Sequence, residues 1–221
     1  MNNNQKQVIL TGIFGDGHLS KPETLKAQSH YKTSCKHKEY LDYKKSLLGD
    51  MFSSQGFISK NGYSQTPIHT LQTKRSSDIT NILQSPIENC INNLDNLGVA
   101  LWFYDDGSMH KSRLFYNLNT QAFSKEVQTE LFIPFFNKMG IYPKITIENK
   151  KDGRTFHYLR IDIHNGAFEI NNILRKYRVN CFNYKIWPDS YHLFYKNLKD
   201  KGLSKEEIKT HIKKEASKKC H

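Results

Sequence analysis

Residues 96–109 read NLGVALWFYDDGSM: an apolar run of helical character that ends on two acids and a glycine. Residues 7–19, QVILTGIFGDGHL, repeat the pattern, and the two Asp-Gly pairs lie 90 positions apart (106 − 16 = 90). A run that is apolar nearly all round is buried on most sides when it folds as a helix. An aspartate at its C-terminal end sits against the negative pole of the helix dipole, where a cation is needed beside it. One Asp-Gly is an ordinary turn. Two, each closing an apolar helix and each followed by an alternating segment, point to an internal duplication and a pseudo-twofold axis.

The pattern extends outward from each motif. After Asp16, the segment TLKAQSHYKT (24–33) alternates, with Lys26, Gln28, His30 and Lys32 on one side of an expected half-buried strand. KEYLDYKKSLLGDMF (38–52) has helical apolar spacing through Tyr40, Leu41, Tyr43, Leu47, Leu48 and Met51. Asn61-Gly62 predicts a hairpin between FISK and YSQTPIHTLQT. SSDITNIL is a short helix capped by Ser77 or Asp78. After Asp106 the order begins again. RLFYNLNTQ (113–121) is read as a strand that sets Arg113, Asn117, Asn119 and Gln121 apart from Leu114, Tyr116 and Leu118. Ser124 caps an expected helix over 125–139 that contains Pro134. YPKITIEN and TFHYLRIDIH form a hairpin about Lys151-Asp152-Gly153, and GAFEINNILRKY is a closing helix. The expected division is a shortened first half over 1–93, a second half over 94–196 and a basic, helix-like tail over 197–221.

Composition restricts the partner. The chain of 221 residues carries a formal net charge of +12, which favours a polyanion. No apolar run reaches the roughly 18 residues that span a bilayer, and MNNNQKQ lacks the apolar stretch of a signal peptide. The four cysteines are too scattered for a zinc knuckle, and a reduced cytoplasmic or organelle-matrix setting is expected rather than secretion. Two β-hairpins in each repeat, with polar faces rich in Lys, Arg, Asn, Gln and His, suit the major groove of duplex DNA. The candidate face comprises Lys26, Gln28, His30, Lys32, Gln72, Lys74, Arg75, Arg113, Asn117, Asn119, Gln121, Lys144, Thr146, Arg154 and Arg160. If the two motif helices pack along the pseudo-twofold, Asp16 and Asp106 meet. Two carboxylates with nearby backbone carbonyls form a hard-oxygen site for Mg²⁺ (or Mn²⁺), chemistry that serves phosphodiester hydrolysis.

LTGIFGDGHL and GVALWFYDDGSM, with LNTQAFSKEVQTEL and NYKIWP further on, resemble a LAGLIDADG homing endonuclease of the intron-encoded branch with two repeats per chain. The resemblance spans roughly residues 8 to 190 and is strongest over Pro86–Pro188. It implies an α+β monomer of two αββαββα halves, with two antiparallel sheets forming a saddle over DNA and the motif helices packed at the centre. It implies double-strand cleavage of a long target with Asp16 and Asp106 as metal ligands, the carbonyls of Gly15 and Asp105 as further ligands, and Lys185 as a basic residue near the attacking water. An RNA-binding intron maturase and a non-cleaving DNA-binding protein are the alternatives. The chain departs from the family pattern at Leu83-Gln84, where the first half lacks the matching lysine. It departs again five places before each aspartate, where Thr11 and Leu101 replace small interface residues.

Overall fold

The structure is a computed structural model that describes residues 1–22, 24, 27–58, 67–110, 114–204, 207, 208, 210 and 211. The first half runs α1 (Asn3–Phe14), β1 (Gly17–Leu19), β2 (Tyr31–Cys35), α2 (Lys38–Leu48), β3 (Phe52–Ile58), β4 (Ile68–Thr73), α3 (Ser77–Gln84) and α4 (Ile87–Asn92). The second runs α5 (Asn96–Asp106), β5 (Gly107–His110), β6 (Phe115–Leu118), α6 (Lys125–Val127), a π-helical turn (Gln128–Phe132), α7 (Ile133–Lys138), β7 (Lys144–Asn149), β8 (Thr155–Ile161) and α8 (Ala167–Lys176). A last helix, α9 (Asp189–Asp200), crosses position 196/197, where the tail was expected to begin. The expected Asn61-Gly62 hairpin turn and residues 212–221 lie outside the described residues.

Each half folds its four strands into one antiparallel sheet, ordered β1-β2-β4-β3 and β5-β6-β8-β7. The α+β fold of two αββαββα halves is therefore present, with differences in detail. The first strand after Asp16 is the three-residue β1, and the strand expected over 24–33 is β2, displaced to Tyr31–Cys35. Gly17 holds β1 close to α1. A Cβ there would lie 2.4 Å from the Gly12 Cα, so the chain hugs the helix it has just left. Gly107 does the same in the second half, where a Cβ would fall 2.5 Å from the Phe103 carbonyl oxygen. The glycine of each Asp-Gly is thus demanded by close approach of backbone to backbone. The helix expected over 125–139 is interrupted by a π turn. It ends two residues before Pro134, whose ring crowds the carbonyl four residues back and whose nitrogen cannot donate.

The halves share one core. α1 begins on a capping box, with Asn2 accepting from the Gln5 N–H and the Gln5 side chain accepting from the Asn2 N–H. α5 is capped by Asp95, which accepts from the N–H groups of Leu97 and Gly98. Residues 97–104 of α5 are all buried. Phe14 of α1 reaches across to Trp102, ring centroids 5.1 Å apart, and Tyr40 of the first half packs on Phe182 of the second at 4.9 Å. Among the described residues no helix is long and apolar enough to cross a membrane.

Candidate active site and nucleic-acid face

Two contacts set the direction of the motif helices. Near their N-termini, the buried Gln7 side chain of α1 donates to the Asn93 carbonyl at 3.0 Å and accepts from the Asp95 N–H at 3.0 Å. A Cβ on Gly98 would lie 2.3 Å from the Gln7 Oε1. At the other end, a Cβ on Gly15 would lie 2.8 Å from the Asp105 Cβ. The helices therefore run side by side in the same direction, and both C-termini open at one place. Gly98 and Gly15 each make a close approach to the other half. Gly12 faces the sheet instead, against Tyr31 and Leu19.

This arrangement brings Asp16, Asp105 and Asp106 together. Partial burial, then Asp16 and Asp105, push the Asp106 carboxyl up to about 7. Asp16 is raised as well, by burial first and then by Asp105, against the lowering pull of Lys44 and Lys185. Like charges this close favour protonation unless a cation is supplied. Asp105 has its own cation. Lys44 Nζ lies 3.0 Å from each Asp105 carboxylate oxygen, and the Tyr40 hydroxyl donates to Oδ1 at 2.7 Å. Burial alone would discharge Lys44. The adjoining Asp105, helped by Tyr31, outweighs it and holds the ammonium above its ordinary range. The Asp105 side chain is thereby committed to Lys44, and among the described residues Asp16 and Asp106 form no ion pair with a lysine.

Lys185 stands on the other side of the α5 terminus. Its ammonium donates to the carbonyls of Phe103 at 3.1 Å and Tyr104 at 2.7 Å. Both carbonyls lie in the last turn of α5, where a cation meets the negative dipole end, and the Phe103 oxygen also accepts from the Gly107 N–H. Burial lowers the Lys185 pKa to about 8, opposed by the three aspartates. Lys185 and Lys44 thus both gather at the end of α5. The Lys74 and Arg75 side chains are exposed at the end of β4, Arg75 donating to the Gln28 carbonyl. The cation that the first half brings to the carboxylates is Lys44, from the middle of α2. It sits three and four residues after Leu41 and Tyr40 and four before Leu48, all buried, which places it on the apolar stripe. A lysine on that stripe needs a buried acid, and that was the available sequence signal.

The donor set fits a divalent cation of the Mg²⁺ or Mn²⁺ class. Among the described residues no three His, Cys, Asp or Glu side chains form a metal-holding group. Magnesium, however, is commonly held by one or two carboxylates with the rest of its shell from water and substrate phosphate. Asp16 and Asp106, both raised by burial first and then by neighbouring carboxylates, provide those two carboxylates.

The sheets place the polar candidates in register. One row runs His18–Lys32–Gln72–Ser54 across the first sheet, and its counterpart runs Ser108–Asn117–Arg160–Lys144 across the second. Each row starts two residues beyond its aspartate. The neighbouring rows, Thr33–Leu71 and Leu118–Leu159, are buried, so the polar rows face away from the core. Thr146 lies on the same face, opposite Tyr158. Other candidates sit off the strands. Gln28 and Asn119 are exposed in connections, Gln121 lies in the turn after β6, and His30 is tied to Ser20 through Nδ1 at 2.9 Å. Arg154 pairs with Asp152 in the β7–β8 turn. Lys26 and Arg113 lie outside the described residues.

Comparison with known proteins agrees with this construction. The family model described as LAGLIDADG DNA endonuclease family matches residues 6–169. No curated protein sequence matches the chain. Among solved structures, the homing endonuclease I-WcaI bound to its DNA recognition sequence is similar, with a TM-score of 0.67 at 18% identity over 85% of this chain and 88% of that one. A variant of the homing endonuclease I-DmoI, in complex with its target DNA nicked in the coding strand and in the presence of Mn, gives 0.53 at 14% identity over 81% and 100%. With paired motif helices, two four-stranded sheets and a family match over most of its length, the chain belongs to the LAGLIDADG DNA endonuclease family.

Proposed function

We propose that this protein cuts both strands of a long, specific DNA duplex with the help of a divalent metal ion, as a monomer encoded within an intron. The observation that carries the reading is the parallel delivery of Asp16 and Asp106 to one point between two polar sheet faces. When bound there, a cation of the Mg²⁺ class supplies Lewis acidity that activates water and stabilises the leaving oxygen. Asp16 and Asp106 orient that chemistry, and the carbonyls of Gly15 and Asp105 are the further oxygen donors. Lys185, fixed by the Phe103 and Tyr104 carbonyls, keeps one of its three N–H groups for a phosphate oxygen or the water beside it. The solvent-facing rows supply phosphate contacts that position the duplex and base contacts that select it. Unpaired thiols at Cys35, Cys90 and Cys181 suit a reduced compartment, a cytoplasm or an organelle matrix.

The deciding experiment is a cleavage assay on duplexes spanning the intron-free junction of the host gene, with and without Mg²⁺. Metal-dependent double-strand cleavage at one site supports the reading. Splicing assistance on the intron RNA without cleavage would replace it with the maturase alternative. Binding of the junction without cleavage would leave a DNA-binding protein.

A further inference from the structure

Arg160 on β8 is held differently from the exposed Lys32 and Lys144 of the same rows. Its Nε donates to Asp162 Oδ1 at 2.8 Å, and both side chains are one-third exposed. Its guanidinium carbon sits 3.8 Å from the centre of the Phe115 ring, and His110 stacks on the same ring at 4.7 Å. Phe115 is 6% exposed although it lies outside the continuous apolar core, on the face shared with Asn117. An aromatic ring on a solvent-facing sheet surface is thus covered by one imidazole and one guanidinium. Beside Arg160 in register, the buried Oδ1 of Asn117 has no hydrogen-bond partner among the described residues.

Chemically, this is a pre-set donor fork. Ion pairing at Nε fixes the plane of the guanidinium and leaves both terminal amino groups free among the described residues. Stacking on Phe115 removes much of the rotamer freedom that a long side chain otherwise loses on binding. A fixed arginine fork matches the O6 and N7 acceptors of guanine in the major groove. A phosphate contact needs no such fixation, and the exposed Lys32 and Lys144 of the same rows have none of it. At the pseudo-symmetric place in the first sheet stands Gln72, between Lys32 and Ser54 as Arg160 stands between Asn117 and Lys144. A glutamine there matches the N6 and N7 edge of adenine.

We infer that Arg160, oriented by Asp162 and Phe115, reads one guanine in the second half of the DNA target and makes the two half-sites unlike at this place. The inference rests on the DNA-recognition reading above.

The test is selection of bound duplexes from a randomised library, scored by gel shift with EDTA to hold back cleavage. The wild-type chain, Arg160→Ala, Arg160→Lys and Asp162→Asn are compared. The wild-type pool is expected to fix guanine at one second-half position. Arg160→Ala should relax that position by roughly tenfold or more, with the other positions unchanged. Arg160→Lys should retain overall affinity and still relax it. Asp162→Asn should relax the same position more weakly, which a merely structural role for Asp162 would not do. Uniform weakening at every position would overturn the inference by making Arg160 a phosphate contact. Failure of the wild-type chain to enrich any duplex would overturn the DNA-recognition reading itself, and the inference with it.

Discussion

Lys44 and Asp105 form a bidentate ion pair across the two halves, 3.0 Å on each arm, with side chains 0% and 2% exposed. The pair joins the middle of α2 to the end of α5. Stripping either partner leaves a bare charge among Tyr31, Tyr40 and the helix ends. Breaking a buried pair costs about 3–5 kcal/mol, whereas replacing both partners with apolar groups is often near neutral. Lys44→Met is therefore expected to lower unfolding free energy by that amount. The double variant Lys44→Met/Asp105→Leu should recover much of it. Urea denaturation of the four members of the cycle measures the coupling, and additive losses would show that the pair does not act as a unit.

Among the described residues Asp16 and Asp106 form no ion pair with a lysine, and here the pH dependence follows. A carboxyl whose folded pKa is raised contributes stability that is full below its unfolded value, near 3.8, and lost as pH rises through its folded value. For Asp106 the window runs from about 4 to about 7. Metal-free Asp106→Asn should therefore melt higher than the wild-type chain at pH 8, with the difference vanishing near pH 4. Adding Mg²⁺ at pH 8 should raise the wild-type Tm more than the variant's, since a ligand stabilises the state that binds it. Differential scanning fluorimetry across pH, with and without Mg²⁺, reads both effects. A wild-type chain that is the more stable at pH 8 without metal would contradict the repulsive cluster.

Much of this fold was legible in the sequence because two signals repeat. The apolar stretches that became α1 and α5 could bury only against each other, and each Asp-Gly marked the same exit. What stayed hidden depended on contacts between segments. Gly15 and Gly98 look like ordinary loop and helix glycines, yet each sits at a close approach between the two halves. Lys44 looked like a polar break in an amphipathic helix, because its acid lies 61 residues away in the other half. The alternation over 24–33 begins ahead of β2, since it continues through a connection that pairs only at the isolated Ser29–Ser76 bridge among the described residues. Arg160 appeared as one of many basic residues, because nothing local reveals a ring and an acid holding it.

Charge on the sheet faces has a measurable signature. Each lysine or arginine that neutralises a phosphate releases counterion, so log affinity should fall linearly with log salt, by about 0.9 per contact. Substituting the exposed Lys32 or Lys144 with Gln should reduce that slope by about one while leaving base preference intact. Fluorescence anisotropy with a labelled target over a salt series supplies the slope. A flat dependence in the wild-type chain would contradict duplex binding through these faces.

Asymmetry at the helix ends leads to the last expectation. Both lysines near the carboxylates gather at α5, Lys185 on its terminal carbonyls and Lys44 on Asp105, while the end of α1 has no lysine of its own bonded to it among the described residues. Lys44 is spent on Asp105, so Lys185 is the lysine with an N–H left for the reaction. The two strands should then be cut at different rates, with a nicked duplex accumulating before the linear product. Lys185→Met should slow the faster cut by about 10²–10³-fold, the usual cost of removing one positioned donor, and change the other less. Asp16→Asn and Asp106→Asn should each abolish double-strand cutting, by about 10³-fold or more, with DNA binding retained. Separately end-labelled strands in a single-turnover time course distinguish these cases. Equal strand rates in the wild-type chain, or equal slowing of both strands by Lys185→Met, would show that the lysine serves both scissile phosphates alike.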